Sequence, residues 1–184
     1  MVSAAVFRNE VRKVIDLIIV DTFDSPPMPL PGIPSEIAFA NEENWDMTGG
    51  EVALESRLGH GWDFRGHWAY VTGTEAVTGV DMTRAPAHNA TATLTWTPTP
   101  RQRLELRGRY RSATRWHIGS LGGSGSKQDG DERAVLDLRW HGRTAGGGLH
   151  VTLNLENVLD RRYRDHPLLS EQRRRLAVSA RLRF

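Results

Sequence analysis

Hydrophobic and polar residues alternate with a period of two along most of this chain. The end shows it best: Leu176, Val178, Ala180, Leu182 and Phe184 are separated by Arg175, Ala177, Ser179, Arg181 and Arg183. Upstream, Leu149, Val151, Leu153 and Leu155 alternate with His150, Thr152, Asn154 and Glu156. The same pattern recurs around Ala134–Trp140, Leu104–Tyr110, Ala90–Trp96, Trp62–Tyr70 and Val52–Leu58. Successive side chains of a strand point to opposite faces, so each stretch reads as a two-faced β-strand. The opening stretch, Val2 to about Val20, is β-rich with less distinct faces. About eight strands are predicted, and no stretch carries a helical period.

The connections alternate in length. Gly59-His60-Gly61, Pro98-Thr99-Pro100 and the Gly-rich His141–Gly147 have the chemistry of tight turns. Long loops are predicted for Asp21–Ser35, Thr74–Pro86, Thr114–Gly130 and Val158–Glu171. In an up-and-down meander this alternation gathers the short turns at one end and the long loops at the other. That asymmetry belongs to antiparallel transmembrane β-barrels. The strand runs are long enough to cross a bilayer at a tilt, for which ~9–11 residues are needed. Trp62, Trp96, Tyr110, Trp116, Trp140 and Phe184 stand near strand ends, as interfacial aromatic girdles require.

Composition narrows the picture. Lys and Arg number 24 against 22 Asp and Glu, with the signs interleaved. The basic runs Arg161-Arg162 and Arg173-Arg174-Arg175 follow no helical pattern, so nucleic acid is not an expected partner. With no cysteine, a disulfide framework and a thiolate metal site are excluded. No run approaches the ~18 apolar residues of a membrane helix. Arg103, Glu105, Arg107, Arg109 and Arg111 share one strand face and cannot pack dry without partners. A wet or plugged lumen suits them. The seven histidines have no metal-ligand spacing, and Gly119–Gly130 lacks the Lys-Ser/Thr ending of a phosphate loop. No catalytic constellation and no cofactor emerge, and an enzyme is not expected.

Two features carry a family resemblance. Leu153-Asn154-Leu155-Glu156-Asn157-Val158-Leu159-Asp160-Arg161-Arg162-Tyr163 resembles the penultimate-strand motif of TonB-dependent receptors. Asn157, Leu159, Asp160, Arg162 and Tyr163 carry the match, and Val158 stands where Leu is usual. The second is the alternation Leu176, Val178, Ala180, Leu182, Phe184, similar to the C-terminal signal read by the barrel-assembly machinery. Trp45–Glu51 and Arg84–Asn89 are similar to further strand segments of ferric-siderophore and colicin receptors.

The resemblance implies that residues 1–184 form the C-terminal part of a 22-stranded barrel, without plug domain or N-terminal strands. It further implies outer-membrane lipid around the wall, TonB and a ferric siderophore as partners of the full-length parent, and a Gram-negative outer membrane as location. Two alternatives stand beside it: a complete eight-stranded outer-membrane barrel with a structural or adhesion role, and a soluble β-sandwich binding module.

Overall fold

The computed structural model describes residues 1–23, 30–75, 86–118, 126–164 and 170–182; for 14–23, 30–43, 75, 115–118 and 126–129 it describes the backbone. Ten strands run in chain order: β1 (Val2–Phe23), β2 (Leu30–Gly59), β3 (Trp62–Glu75), β4 (His88–Thr99), β5 (Gln102–Arg111), β6 (Thr114–Ile118), β7 (Ser126–Gly130), β8 (Arg133–Arg143), β9 (Leu149–Glu156) and β10 (Arg175–Leu182). Eight of them form one antiparallel sheet in the order β1-β2-β3-β4-β5-β8-β9-β10, and β6 with β7 forms a separate hairpin. No helix occurs among the described residues.

Each strand of the large sheet pairs with its neighbour in sequence, β6 and β7 aside, as a meander of two-faced strands requires. The short connections β2–β3, β4–β5 and β8–β9 fall at one end, and the long ones at the other. At the β2–β3 turn, Gly59, His60 and Gly61 all take positive φ (85°, 49° and 79°). Glycine is needed at position 61, because a Cβ there would collide with the Thr97 carbonyl oxygen. That close approach also lets the Thr97 N–H donate to the Gly61 carbonyl at 2.8 Å.

Several expectations change. Most of Asp21–Ser35 is strand, since the β1–β2 ladder continues to Phe23↔Leu30. The hairpin outruns β3, whose pairing with β2 stops at Glu75↔Trp45. Pro31 and Pro34 lie in β2, where the ladder shows register shifts that accommodate a residue lacking an N–H. Thr114–Gly130 is not a plain loop: its two ends pair as β6 and β7 from Thr114↔Gly130 to Ile118↔Ser126. The Pro98–Pro100 turn sits further along the chain, because Thr99 still pairs with Gln102.

The sheet is open. Among the described residues β1 pairs only with β2 and β10 only with β9. The closed eight-stranded barrel is therefore not formed, since closure needs a β1–β10 ladder. A sandwich is not formed either: among the described residues the strands of the large sheet lie in one layer with no second sheet packed across it.

Candidate functional site

The faces of this sheet are its functional elements, and the register aligns them across strands. One continuous row runs Trp62, Trp96, Leu104, Trp140, Leu153, Val178, each opposite the next on the adjacent strand. Trp62 and Trp96 stack with centroids 5.5 Å apart, and the Trp140 indole lies over Gly142. The next row is aliphatic and aromatic: Phe64, Leu94, Leu106, Leu138, Leu155, Leu176. Toward the long-loop end, Val52, Trp68, Ala90, Tyr110 and Ala134 align. There Trp68, Tyr70 and His88 form a stack, with the Tyr70 and His88 rings 4.9 Å apart.

Two aromatic bands thus bracket an aliphatic one. Trp62 to Tyr70 is eight residue steps along β3, about 27 Å of strand and about 21 Å at a tilt near 40°, close to the ~25 Å apolar band of a membrane barrel. Of the residues expected in girdles, Trp62, Trp96 and Trp140 share the turn-side band and Tyr110 the loop-side one. The Trp116 side chain and Phe184 lie outside the described residues.

Packing on this sheet is inverted relative to a water-soluble protein. The apolar face is the open one: Leu106 and Leu153 are each 38% exposed and Val178 63%. Among the described side chains of the large sheet, the best-buried, Val135 and Thr95, lie on the opposite, charged face. An apolar face left open over some six strands is far larger than a soluble surface tolerates.

The charged face is held by ion pairs. Arg109 meets Asp137 at 2.8 Å and Arg175 meets Glu156 at 2.7 Å across neighbouring strands, and Arg103 meets Glu105 at 3.1 Å along β5. The Arg139 Nε–H donates to Asn154 Oδ1 at 2.6 Å, and His141 Nδ1 lies 3.0 Å from the Thr152 hydroxyl. Glu105 therefore balances Arg103 rather than Arg107.

The Asn157–Tyr163 segment is a built turn. Asn157, with φ 52° and 2% exposed, accepts from the Arg161 N–H at its Oδ1 and donates from its Nδ2 to the Arg161 carbonyl. Its own N–H donates to Asp137 Oδ1 at 2.9 Å, tying the turn to the wall. Asp160, also at positive φ, accepts both Arg173 donors and the Arg174 N–H. Those hydrogen bonds hold the Asp160 carboxyl well below its ordinary pKa. Tyr163 is buried beneath the Arg133 guanidinium, 5.3 Å from the ring centroid, and bridges Gln172. Leu159 and Arg162 are exposed. In β10, Leu176, Val178, Ala180 and Leu182 align opposite Leu155, Leu153, Val151 and Leu149 on the apolar face. No three metal-ligating side chains converge among the described residues.

No family model and no curated relative matches the sequence. Solved structures do match. The ferripyoverdine receptor of the outer membrane of Pseudomonas aeruginosa superposes over 98% of this chain with a TM-score of 0.72 at 16% identity. The FrpB iron transporter from Neisseria meningitidis covers all of it with a TM-score of 0.70 at 14% identity. The fold is that of a TonB-dependent receptor barrel. The copper transporter OprC matches as well, with a TM-score of 0.72 at 15% identity over the whole chain. This chain spans 24%, 29% and 28% of those three proteins, so it corresponds to about a quarter of such a barrel protein. These neighbours are receptors and transporters.

Proposed function

We propose that this chain is the C-terminal barrel wall of a TonB-dependent outer-membrane receptor that takes up a ferric siderophore. In this reading the aromatic-bracketed face meets outer-membrane lipid and the charged face lines the lumen. The short turns face the periplasm and the long loops the outside. The barrel-assembly machinery reads Leu176, Val178, Ala180, Leu182 and Phe184. The plug, the remaining strands and TonB complete the transporter. The two-faced sheet carries this reading: ion pairs hold one face while a continuous apolar face bracketed by aromatic rings stays open. Siderophore as cargo is supported by the arginine-rich polar face, whose planar guanidinium groups match anionic oxygens in pairs.

The reading is tested in cells. A tag inserted at Gly122–Gly125 should bind antibody on intact bacteria, and one inserted at Ala145–Gly147 should need permeabilised ones. Loss of the gene should lower energised uptake of radioiron supplied as a siderophore complex. Reversed tag accessibility would overturn the orientation, and unchanged iron uptake with lost copper uptake would replace the cargo.

A further inference from the structure

The charged face encloses a cleft of about 260 Å³ lined by Arg107, Arg109, Arg139, Glu105, Asp137 and their β9–β10 neighbours Asn154, Glu156 and Arg175. Its charges do not balance locally. Asp137 is committed to Arg109, Glu156 to Arg175, and Glu105 to Arg103, which stands outside the cleft. Among the described residues the Arg139 side chain is held only by the neutral Asn154 amide oxygen. The Arg107 side chain makes no ion pair or hydrogen bond among the described residues.

The register brings these two cations together. Arg107 is opposite Asp137, and Arg139 is opposite Glu105, so the two arginines are diagonal neighbours across β5 and β8. Diagonal neighbours on such a pair lie about 7–8 Å apart, their Cβ atoms somewhat closer, within reach of one small anion held by both guanidinium forks. The Nε–H of Arg109, shielded from solvent beside them, also has no acceptor.

We infer that Arg107 and Arg139 form a carboxylate-binding site on the lumen wall. This rests on the proposed reading that the charged face lines a lumen. A carboxylate accepts two parallel N–H bonds from each guanidinium fork, and charge-assisted bonds are roughly twice as strong as neutral ones. The cleft is smaller than the ~300–1,000 Å³ that encloses a whole drug-sized ligand, so it takes one anionic head. That head comes from one of two sources: a carboxylate-bearing solute crossing the lumen, or an acidic side chain of a segment that fills it.

The absence of cysteine from this chain permits a direct test. Thr93 is opposite Arg107 on the same face, so Thr93→Cys reports on the cleft while keeping both arginines. Thr91→Cys, one step along that face, serves where Thr93→Cys fails to assemble. The protein is labelled in outer membranes with a water-soluble thiol reagent, with and without citrate, beside Arg181→Cys as a distant control. Citrate should slow labelling at Thr93→Cys about tenfold, the factor carried by ~1.4 kcal/mol. Combined R107Q and R139Q should abolish that protection and leave Arg181→Cys unchanged. Protection without citrate, released by the same two substitutions, supports the site with an internal acidic segment as occupant. Labelling indifferent to citrate and to the substitutions overturns the site. Failure of the lumen reading looks different: Leu94→Cys would react with the same reagent and Thr93→Cys would not.

Discussion

Asp160 grips Arg173 fork to fork, with Nη2 at 2.7 Å and Nε at 3.1 Å from the two carboxylate oxygens. The same carboxylate caps the Arg174 N–H at 2.9 Å, so a single side chain fixes the residues that lead into β10. Asp160→Asn removes the charge and one acceptor. It should raise the rate of protease cleavage between Arg161 and Arg174 several-fold at neutral pH while leaving the sheet folded. The sign with pH follows from the lowered carboxyl pKa. The clamp's contribution is complete above the ordinary value of 3.8 and is lost as pH falls through the lower, folded-state value. Protease resistance of the wild type should therefore persist to about pH 4 and decline only in stronger acid. A decline centred between pH 5 and 7 would contradict this account.

The face assignment makes a sharper prediction at two adjacent positions. Leu106 is in the middle of the aliphatic row, and Thr93 is opposite Arg107 on the charged face. Leu106→Arg should cost ~1–3 kcal/mol of unfolding free energy in lipid vesicles, because its row lies one step inside the tryptophan band, between the ~0–1 kcal/mol of the interface and the ~2–4 kcal/mol of the midplane. Thr93→Arg should cost far less, since its surroundings are wet and charged. Urea titrations of both variants in vesicles decide it; equal penalties would refute the two-faced wall.

Stacking of Trp62 on Trp96 should be measurable as a coupling. The double-mutant cycle of Trp62→Ala and Trp96→Ala should give an interaction of about 0.5–1.5 kcal/mol beyond the area lost by each ring. Additive losses would mean that the two rings anchor independently.

Gly61→Ala should destabilise the β2–β3 turn by more than the ~1–2 kcal/mol of a left-handed alanine, because its Cβ also meets the Thr97 carbonyl oxygen. Gly59, with φ 85° but open space around the Cβ position, should cost only the backbone part when replaced by Ala. Refolding yields of the two variants, read by heat-modifiable gel migration, should rank in that order.

Alternation made most of the wall readable from the sequence, because a half-exposed strand repeats its environment every two residues. Trp62, Trp96 and Trp140 could even be placed near a boundary, and the register puts them in one row. The β1–β2 extension escaped for a physical reason. Val14–Val20 is nearly continuous in apolar residues and has no two-fold signature, and the prolines from Pro26 to Pro34 look like loop chemistry. Thr114–Gly130 misled in the same way, its central glycines hiding two short paired ends. Asn157 and Asp160 were recognisable as a motif, yet their roles depend on partners in other elements, Asp137 and Arg173, which no local pattern reveals.

Inverted packing also bears on how such a chain changes over evolutionary time. A side chain on the open apolar face has no fixed neighbour to fit, so any apolar residue serves at Leu94, Leu106 or Val178. The ladder that aligns the strands is made by backbone groups, which substitution leaves in place. Selection for a detailed interior, which preserves recognisable sequence in water-soluble domains, is thus confined to the turns and the charged side. A shape shared at a TM-score of 0.72 with only 16% identical residues is the expected result. For this architecture, backbone geometry can be shared where the wording of the sequence is not.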